Sequence, residues 1–218
     1  MNKYIRDLPL FPLNTVLFPG GTIPLQVFEN RYIKMINDCL DSDSNFGVVL
    51  IKEGKEVGGP SIPRSVGTIA KITSINQLPN DRLLVNSVGT KRFTILEIIS
   101  DDPYMIARVN TENEPVGEEI NSQILCAATQ STTDYLQALL ALQEGWVRNP
   151  VSSVPKNPVD LSFFMAQLLQ QPVSEQQKIL ETDSVIGRLL NCTNFMNSEN
   201  QKILSKTKME LTLKFSRN

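Results

Sequence analysis

The chain has 218 residues, 41% apolar and 20% charged, with 21 Lys plus Arg against 23 Asp plus Glu, a net charge of −2. That is the composition of a folded globular protein, and its charge balance supplies no field for drawing in nucleic acid or an anionic membrane. Histidine is absent, which removes Ser-His-Asp and Cys-His nucleophile systems, His-ligated zinc and the usual general base near neutral pH.

The first half of the chain reads as β-rich. Leu8-Pro9-Leu10-Phe11-Pro12-Leu13 is extended, because each proline excludes the helical conformation for the residue before it. Pro9, Pro12, Asn14 and Pro19 break this apolar stretch too often for an export-signal helix. Pro19-Gly20-Gly21 is a turn, after which Thr22 to Phe28 resumes the extended run. In Glu29 to Leu40, Tyr32, Ile33, Ile36 and Leu40 recur at helical spacing, and Asp41-Ser42-Asp43-Ser44 ends that helix. Phe46 to Ile51 is a short strand of the fully buried type. Val66 to Ile75 alternates as a strand, Pro79-Asn80-Asp81 turns the chain, and Arg82 to Ile99 returns as a long strand. Gly89 sits where a bulge bends such a strand, and a long, bent hairpin suits a closed or nearly closed barrel. Tyr104 to Val109 is the last strand.

From Gly117 the hydrophobic period becomes helical. Ile120, Ile124, Ala128, Tyr135, Leu139, Leu142 and Trp146 follow one stripe of a long helix, and Pro150, Pro155 and Pro158 mark a stiff connection. Trp146 is expected to pack between barrel and bundle. Asn157 caps a helix opening at Pro158, with Leu161, Phe164, Met165, Leu168 and Leu169 inward. Ser174 with Gln177 has the capping-box pattern of a third helix. Thr182 or Asp183 caps a fourth, with Ile186, Leu189 and Leu190 on its apolar face. From Asn197 onward strand-like alternation (Met209, Leu211, Leu213, Phe215) competes with helical flanks. Residues 201–218 form a basic tail of Lys202, Lys206, Lys208, Lys214 and Arg217 against Glu210. The expected organisation is a β-barrel subdomain over 1–112, a helical subdomain over 113–200 and that tail.

Several of these segments together resemble the N-terminal domain of Lon proteases. They are Leu8 to Leu13, Val16-Leu17-Phe18-Pro19-Gly20 and Ile23-Pro24-Leu25; the "VGTxAxI" strand Val66 to Ile72; the hairpin Leu78 to Arg82; and the "GxxRF" of Gly89, Arg92 and Phe93. Leu168-Leu169 through Gln176 to Asp183 is similar to the family's "EKQELLETxD" segment, so the resemblance runs over most of residues 8–195. Phe28-Glu29-Asn30-Arg31-Tyr32 resembles the "FExRY" of short, free-standing proteins of this type. The resemblance implies an α+β fold, a PUA-like β pseudo-barrel with one inserted helix followed by a C-terminal α-helical bundle. It also implies a non-catalytic role of recognising and holding proteins or unfolded polypeptides, with a protease system as a candidate partner and the fate of the bound chain left open.

The residues themselves carry no catalytic centre. A P-loop needs GxxxxGK[ST], but around Gly54-Lys55 the first glycine is Val49 and the hydroxyl residue is Glu56. Gly59-Pro60-Ser61 resembles the start of the Lon "GPSAG" nucleophile, yet Ile62-Pro63 follows, so Ser61 reads as a loop serine. Asp41-Ser42-Asp43-Ser44-Asn45 opens like a calcium loop, but Phe46 replaces the required glycine and Lys52 the bidentate glutamate. The acidic pairs Asp101-Asp102 and Glu118-Glu119 read as solvated. Cys39, Cys126 and Cys192, without CxxC spacing, read as core thiols of a cytoplasmic protein. Glu29 and Arg31 either rim a pocket or, the favoured reading, start the helix, with Arg31 bridging to the barrel. No apolar run reaches the length of a membrane span. The expectation is therefore a polypeptide-binding or adaptor protein with no catalytic residues, metal or cofactor, and with no binding surface or oligomeric state assigned. The alternatives are an RNA-binding PUA-like module and a His-free Ser/Cys–Lys hydrolase. Residues 1–112 hold 12 cations and 12 anions, which argues against the first.

Overall fold

Alternating apolar positions in the first half of the chain wrap six strands around two clusters of buried side chains. The computed structural model describes residues 4–111, 119–142 and 153–215. Its elements are β1 (Ile5–Leu13), β2 (Thr22–Val27), α1 (Asn30–Leu40), β3 (Asn45–Gly54), β4 (Ser61–Leu78), β5 (Arg82–Ser100) and β6 (Ile106–Asn110), then α2 (Ser122–Leu142), α3 (Pro158–Leu168), α4 (Val173–Glu181) and α5 (Val185–Phe215). The fold is α+β: a mixed sheet closed into a pseudo-barrel with one inserted helix, then C-terminal helices packed together. Two units emerge from the packing. One is Met1–Val116 with Gln171–Glu181, the other Gly117–Gln170 with Thr182–Asn218.

In the first unit the strand order is β2-β5-β4-β3-β1-β6, and β6 also pairs with the second half of β5, which closes the ring. Only β1 and β3 run parallel. The long β4–β5 hairpin turns at Asn80 and Asp81, both at positive φ (63° and 54°), as a tight hairpin turn requires. The bend expected at Gly89 lies beside it. Between the pairs Thr68–Arg92 and Ala70–Gly89, one residue of β4 faces Thr90 and Lys91 of β5. Gly89 itself is required by close approach, because a Cβ there would collide with the carbonyl oxygen of Phe18. Gly67 and Phe93, from the two motif strands, are register partners, and a Cβ on Gly67 would meet the Phe93 ring at 2.7 Å.

α4 folds with the strands, whereas its periodicity alone grouped it with the helices. Gln177 is buried and its amide donates to the Val66 carbonyl (3.0 Å) and to Glu181 (2.8 Å). That replaces the expected capping box: the carbonyl of Pro172 accepts the first helical N–H bonds instead, and Gln177 faces β4. Arg92 donates to the Leu180 carbonyl at 2.8 Å, placing a cation at the helix C-terminus, where the dipole favours it.

In the second unit Asn157 caps α3 as expected, accepting from Val159 and Asp160 N–H. The inward residues are Leu161, Met165 and Leu169, with Phe163 in the core in place of Phe164. α5 is capped by Ser184, whose hydroxyl accepts from Gly187 N–H at 3.0 Å, not by Thr182 or Asp183. Its buried stripe is Val185, Arg188, Leu189, Cys192 and Met196, which turns Leu190 outward. Arg188 is fully buried, and its charge is satisfied by the Ser162 hydroxyl (3.0 Å), the carbonyls of Thr182 (2.7 Å) and Asp183 (3.1 Å), and the Phe163 ring 4.3 Å away. On α2 the buried face is Ala128, Ser131, Thr132 and Tyr135, and Ser131 bonds Asn197 of α5 at 2.9 Å. Cys126, expected in the core, is exposed: it lies two residues from Ala128 and hence on the opposite face of the helix. Beyond Asn197 the backbone stays helical to Phe215. Trp146 and Pro150 lie outside the described residues.

Candidate functional site

A seam of the ring runs between β1 and β2. Among the described residues β2 pairs only with β5, and the Phe11–Leu13 end of β1 pairs only with β3. Gly89 donates to the Gly21 carbonyl and accepts from Gly20 N–H, both at 2.8 Å. Carried along the register Thr22–Val88 to Val27–Leu83, this makes Ile23, Leu25 and Val27 the residues bonded to β5. The backbone groups of Thr22, Pro24 and Gln26 then point away from the sheet. Pro24, which has no N–H, thus occupies an outward position where no ladder bond is lost.

Between these edges lies a cleft lined by Phe11 and Leu13 of β1, Pro24 to Val27 of β2, Phe28, Glu29 and Tyr32 at the start of α1, and Glu56 and Val57 of the β3–β4 loop. Tyr32 forms part of its floor and stacks on Phe11 with ring centroids 4.1 Å apart. Phe28 and Val57 stand half out of the surface, 50% and 53% exposed. The cleft volume is about 150 Å³. Small-molecule sites run to roughly 300–1,000 Å³, while an engineered apolar cavity of about 150 Å³ in another protein takes up a benzene ring. This cleft therefore has room for one side chain of a larger ligand.

The Phe28–Tyr32 motif builds the site and the helix start together. Glu29 is the N-cap of α1 by its extended backbone, yet its carboxylate makes no capping bond. It reaches Gly58 N–H in the β3–β4 loop at 3.3 Å and pairs with Arg31 at 3.0 Å. Arg31 does not bridge to the barrel as expected; it folds back onto Glu29 and over the Tyr32 ring, 4.5 Å from its centroid. Glu29 makes the bridge instead, and it also rims the cleft. Glu56 accepts from the Asn14 side-chain amide at 2.8 Å. Burial pushes the Tyr32 hydroxyl pKa above its ordinary value; Arg31 opposes this, and the Glu29 and Glu56 carboxylates add to it.

Sequence reasoning flagged Glu29 and Arg31 but missed Glu56 and Val57, which a distant loop brings to the same place. The other candidates disperse. Ser61 opens β4 in a hairpin opposite Gly54. Asp43 pairs with Arg6 at 2.8 Å and accepts from Asn45 N–H, which is a polar turn's use of a carboxylate. Burial pushes the Cys39 and Cys192 thiols up to about 12, so both are inert core thiols. Arg6, Arg31, Lys34, Lys52 and Arg108 each pair with a carboxylate. Among the described residues there is no cluster of three potential metal ligands and no helix long and apolar enough to cross a membrane.

Comparison with known proteins places this architecture. Residues 7–198 match the model of the ATP-dependent protease La (LON) substrate-binding domain. A Lon protease of Flavobacterium johnsoniae is 30% identical over 214 residues, covering 96% of this chain and 26% of that protein. A Lon protease of Koribacter versatilis is 31% identical over 193 residues, covering 84% and 23%. The chain thus spans about a quarter of the length of the curated relatives it matches. Among solved structures, the Lon N-terminal domain protein from Xanthomonas campestris aligns with a TM-score of 0.67 at 27% identity, covering 88% of this chain and 99% of that one. The N-terminal domain of the Mycobacterium avium complex Lon protease shares the fold, with a TM-score of 0.66 at 19% identity over 88% of this chain and 98% of that one. With one substrate-binding-domain match running from β1 into α5, the chain belongs to the LON substrate-binding domain family.

Proposed function

We propose that this chain is a polypeptide-binding adaptor that grips extended or unfolded protein segments at the seam between β1 and β2 and breaks no bond itself. The observation that carries this is the cleft: an unpaired strand edge beside a pocket for one side chain, flanked by the exposed Phe28 and Val57. An extended chain uses such an edge for main-chain hydrogen bonds and the pocket for specificity. The RNA reading is disfavoured because residues 1–112 are balanced in charge and Arg6, Arg31, Lys34 and Arg108 among their cations are paired with carboxylates.

The test is site-specific photo-crosslinking. A photoreactive amino acid is placed at position 28, at 57 or at the exposed Lys178 of α4, and a reduced, alkylated globular protein serves as the permanently unfolded client. Crosslinks from 28 and 57, with none from 178, are the expected result. Equal labelling at all three positions, or crosslinks to RNA alone in a mixture of both, overturns the reading.

A further inference from the structure

The cleft's charge says more about its occupant than its shape does. Its lining holds two carboxylates, Glu29 and Glu56, and neither Lys nor Arg. Arg31 neutralises Glu29, and its guanidinium lies over Tyr32. Glu56 has only the neutral Asn14 amide, so the mouth keeps a negative charge beside an apolar pocket. Tyr32, at the floor, feels both carboxylates. An anionic residue held there would meet repulsion, and a cationic one attraction, before any main-chain bond forms.

We infer that the preferred occupant is an extended, unfolded polypeptide segment with one aromatic or large aliphatic side chain in the cleft and a Lys or Arg within two residues of it. This rests on the polypeptide-binding reading and narrows its client class. The pocket, at about 150 Å³, takes one ring or branched side chain. In an extended chain, residues two apart lie on one face roughly 7 Å from each other, which brings a cation beside the anchor to the carboxylates at the rim. The outward backbone groups of Thr22 and Gln26 are available to such a strand, while Pro24 supplies only a carbonyl between them. The edge alone therefore offers an interrupted ladder, and selectivity falls to the anchor and the charge beside it.

The experiment is fluorescence polarisation with labelled, Gly/Ser-based peptides that carry at the centre Phe with Lys, Gln or Glu two residues on, or Ala with Lys two residues on (Phe-Lys, Phe-Gln, Phe-Glu and Ala-Lys). A fifth peptide keeps Phe and Lys but separates them widely. Phe-Lys is expected to bind about fivefold tighter than Phe-Gln, the scale of one solvent-facing ion pair, with Phe-Glu weaker still and Ala-Lys without measurable binding. Separating Phe from Lys removes the gain. Glu56→Gln abolishes the difference in affinity between Phe-Lys and Phe-Gln. Glu56 bonds only an exposed asparagine, so the variant's unfolding curve coincides with that of the parent. Equal binding of Phe-Lys and Phe-Glu, or a lysine preference that survives both Glu56→Gln and Glu29→Gln, overturns the charge selection while polypeptide binding stands. Failure of every peptide, together with absence of crosslinks to the unfolded client, overturns both.

Discussion

The strand unit has two unlike interiors. One cluster, Leu8, Leu10, Val49, Ile69, Phe93, Ala107 and Val109, lies among the strands β1, β3, β4, β5 and β6 that close the ring, and contains no titratable group. There Gly67 gives its side-chain space to the Phe93 ring, and α4 is tied on through Gln177 and Arg92. The other cluster, including Phe11, Val27, Tyr32, Ile36, Cys39 and Tyr104, lies at the seam, where α1 fills space that a strand leaves open. It is edged by half-exposed Phe28 and Val57 and by carboxylates. The closed side shows what the fold needs for stability. The seam sets half-exposed apolar side chains beside outward-pointing backbone groups and a pocket, an arrangement that can accept an added strand.

The largest expected break is therefore on the closed side. Gly67→Ala puts a Cβ 2.5 Å from the Val48 carbonyl and 2.7 Å from the Phe93 ring. A backbone oxygen cannot swing away, so the variant loses about 3 kcal/mol or fails to fold, read by urea unfolding. Arg92→Ala comes next. It leaves the Leu180 carbonyl without its guanidinium donor, at a cost of about 1–3 kcal/mol. Its signature is local: hydrogen exchange rises in residues 171–181 before it rises in β3. Uniform acceleration along the chain would mean that α4 is not a separable element. At the seam the order reverses. Phe28→Ala changes stability by no more than about 0.5 kcal/mol, because its ring is half in water, but weakens binding of an aromatic-anchored peptide about tenfold. A variant that unfolds early and binds normally would assign Phe28 to the core and sink the contrast.

Much of the closed side was legible in the sequence, because strand alternation, the Asn80-Asp81 turn and the paired motifs around Gly67 and Phe93 are local patterns. The seam was legible only in half. Phe28 to Tyr32 stands out as a motif, but Glu56 and Val57 join it through the β3–β4 hairpin, and no periodicity announces a loop's destination. Helix caps misled for a related reason. Ser174 and Gln177 satisfy the capping pattern, yet a buried amide facing the Val66 carbonyl is a stronger demand than a solvated cap. In α2 Ser and Thr fill much of the buried face, Thr132 donating to the Ala128 carbonyl of its own helix at 2.7 Å and Ser131 to Asn197 of α5 at 2.9 Å. An apolar-stripe search finds Ala128 and Tyr135 but passes over the Ser and Thr between them, and Cys126, read as inward from the burial habit of free cysteine, lies on the opposite face.

The smallest effect is confined to alkaline solution and again separates the two interiors. Burial raises the Cys39 thiol from 9.0 to about 12. Burial also raises Tyr104 from 10.0 to about 12, with the Asp38 carboxylate, which accepts its hydroxyl bond at 2.7 Å, adding to the shift. Both groups are neutral when protonated, so in the native protein they hold their protons after the unfolded chain has released them. Their contribution to stability is complete below pH 9 and is lost as pH climbs toward 12. Both lie in the seam cluster, and the closed cluster has nothing to titrate. Stability should thus be flat from pH 7 to 9 and decline above it, with exchange in α1 rising before exchange in β4. At pH 7 a thiol reagent should label Cys126 and spare Cys39 and Cys192 until the chain unfolds. Rapid labelling of Cys39 in the native protein would show that the seam opens far enough to wet its own core, and the distinction between a rigid pocket and a rigid barrel would fall with it.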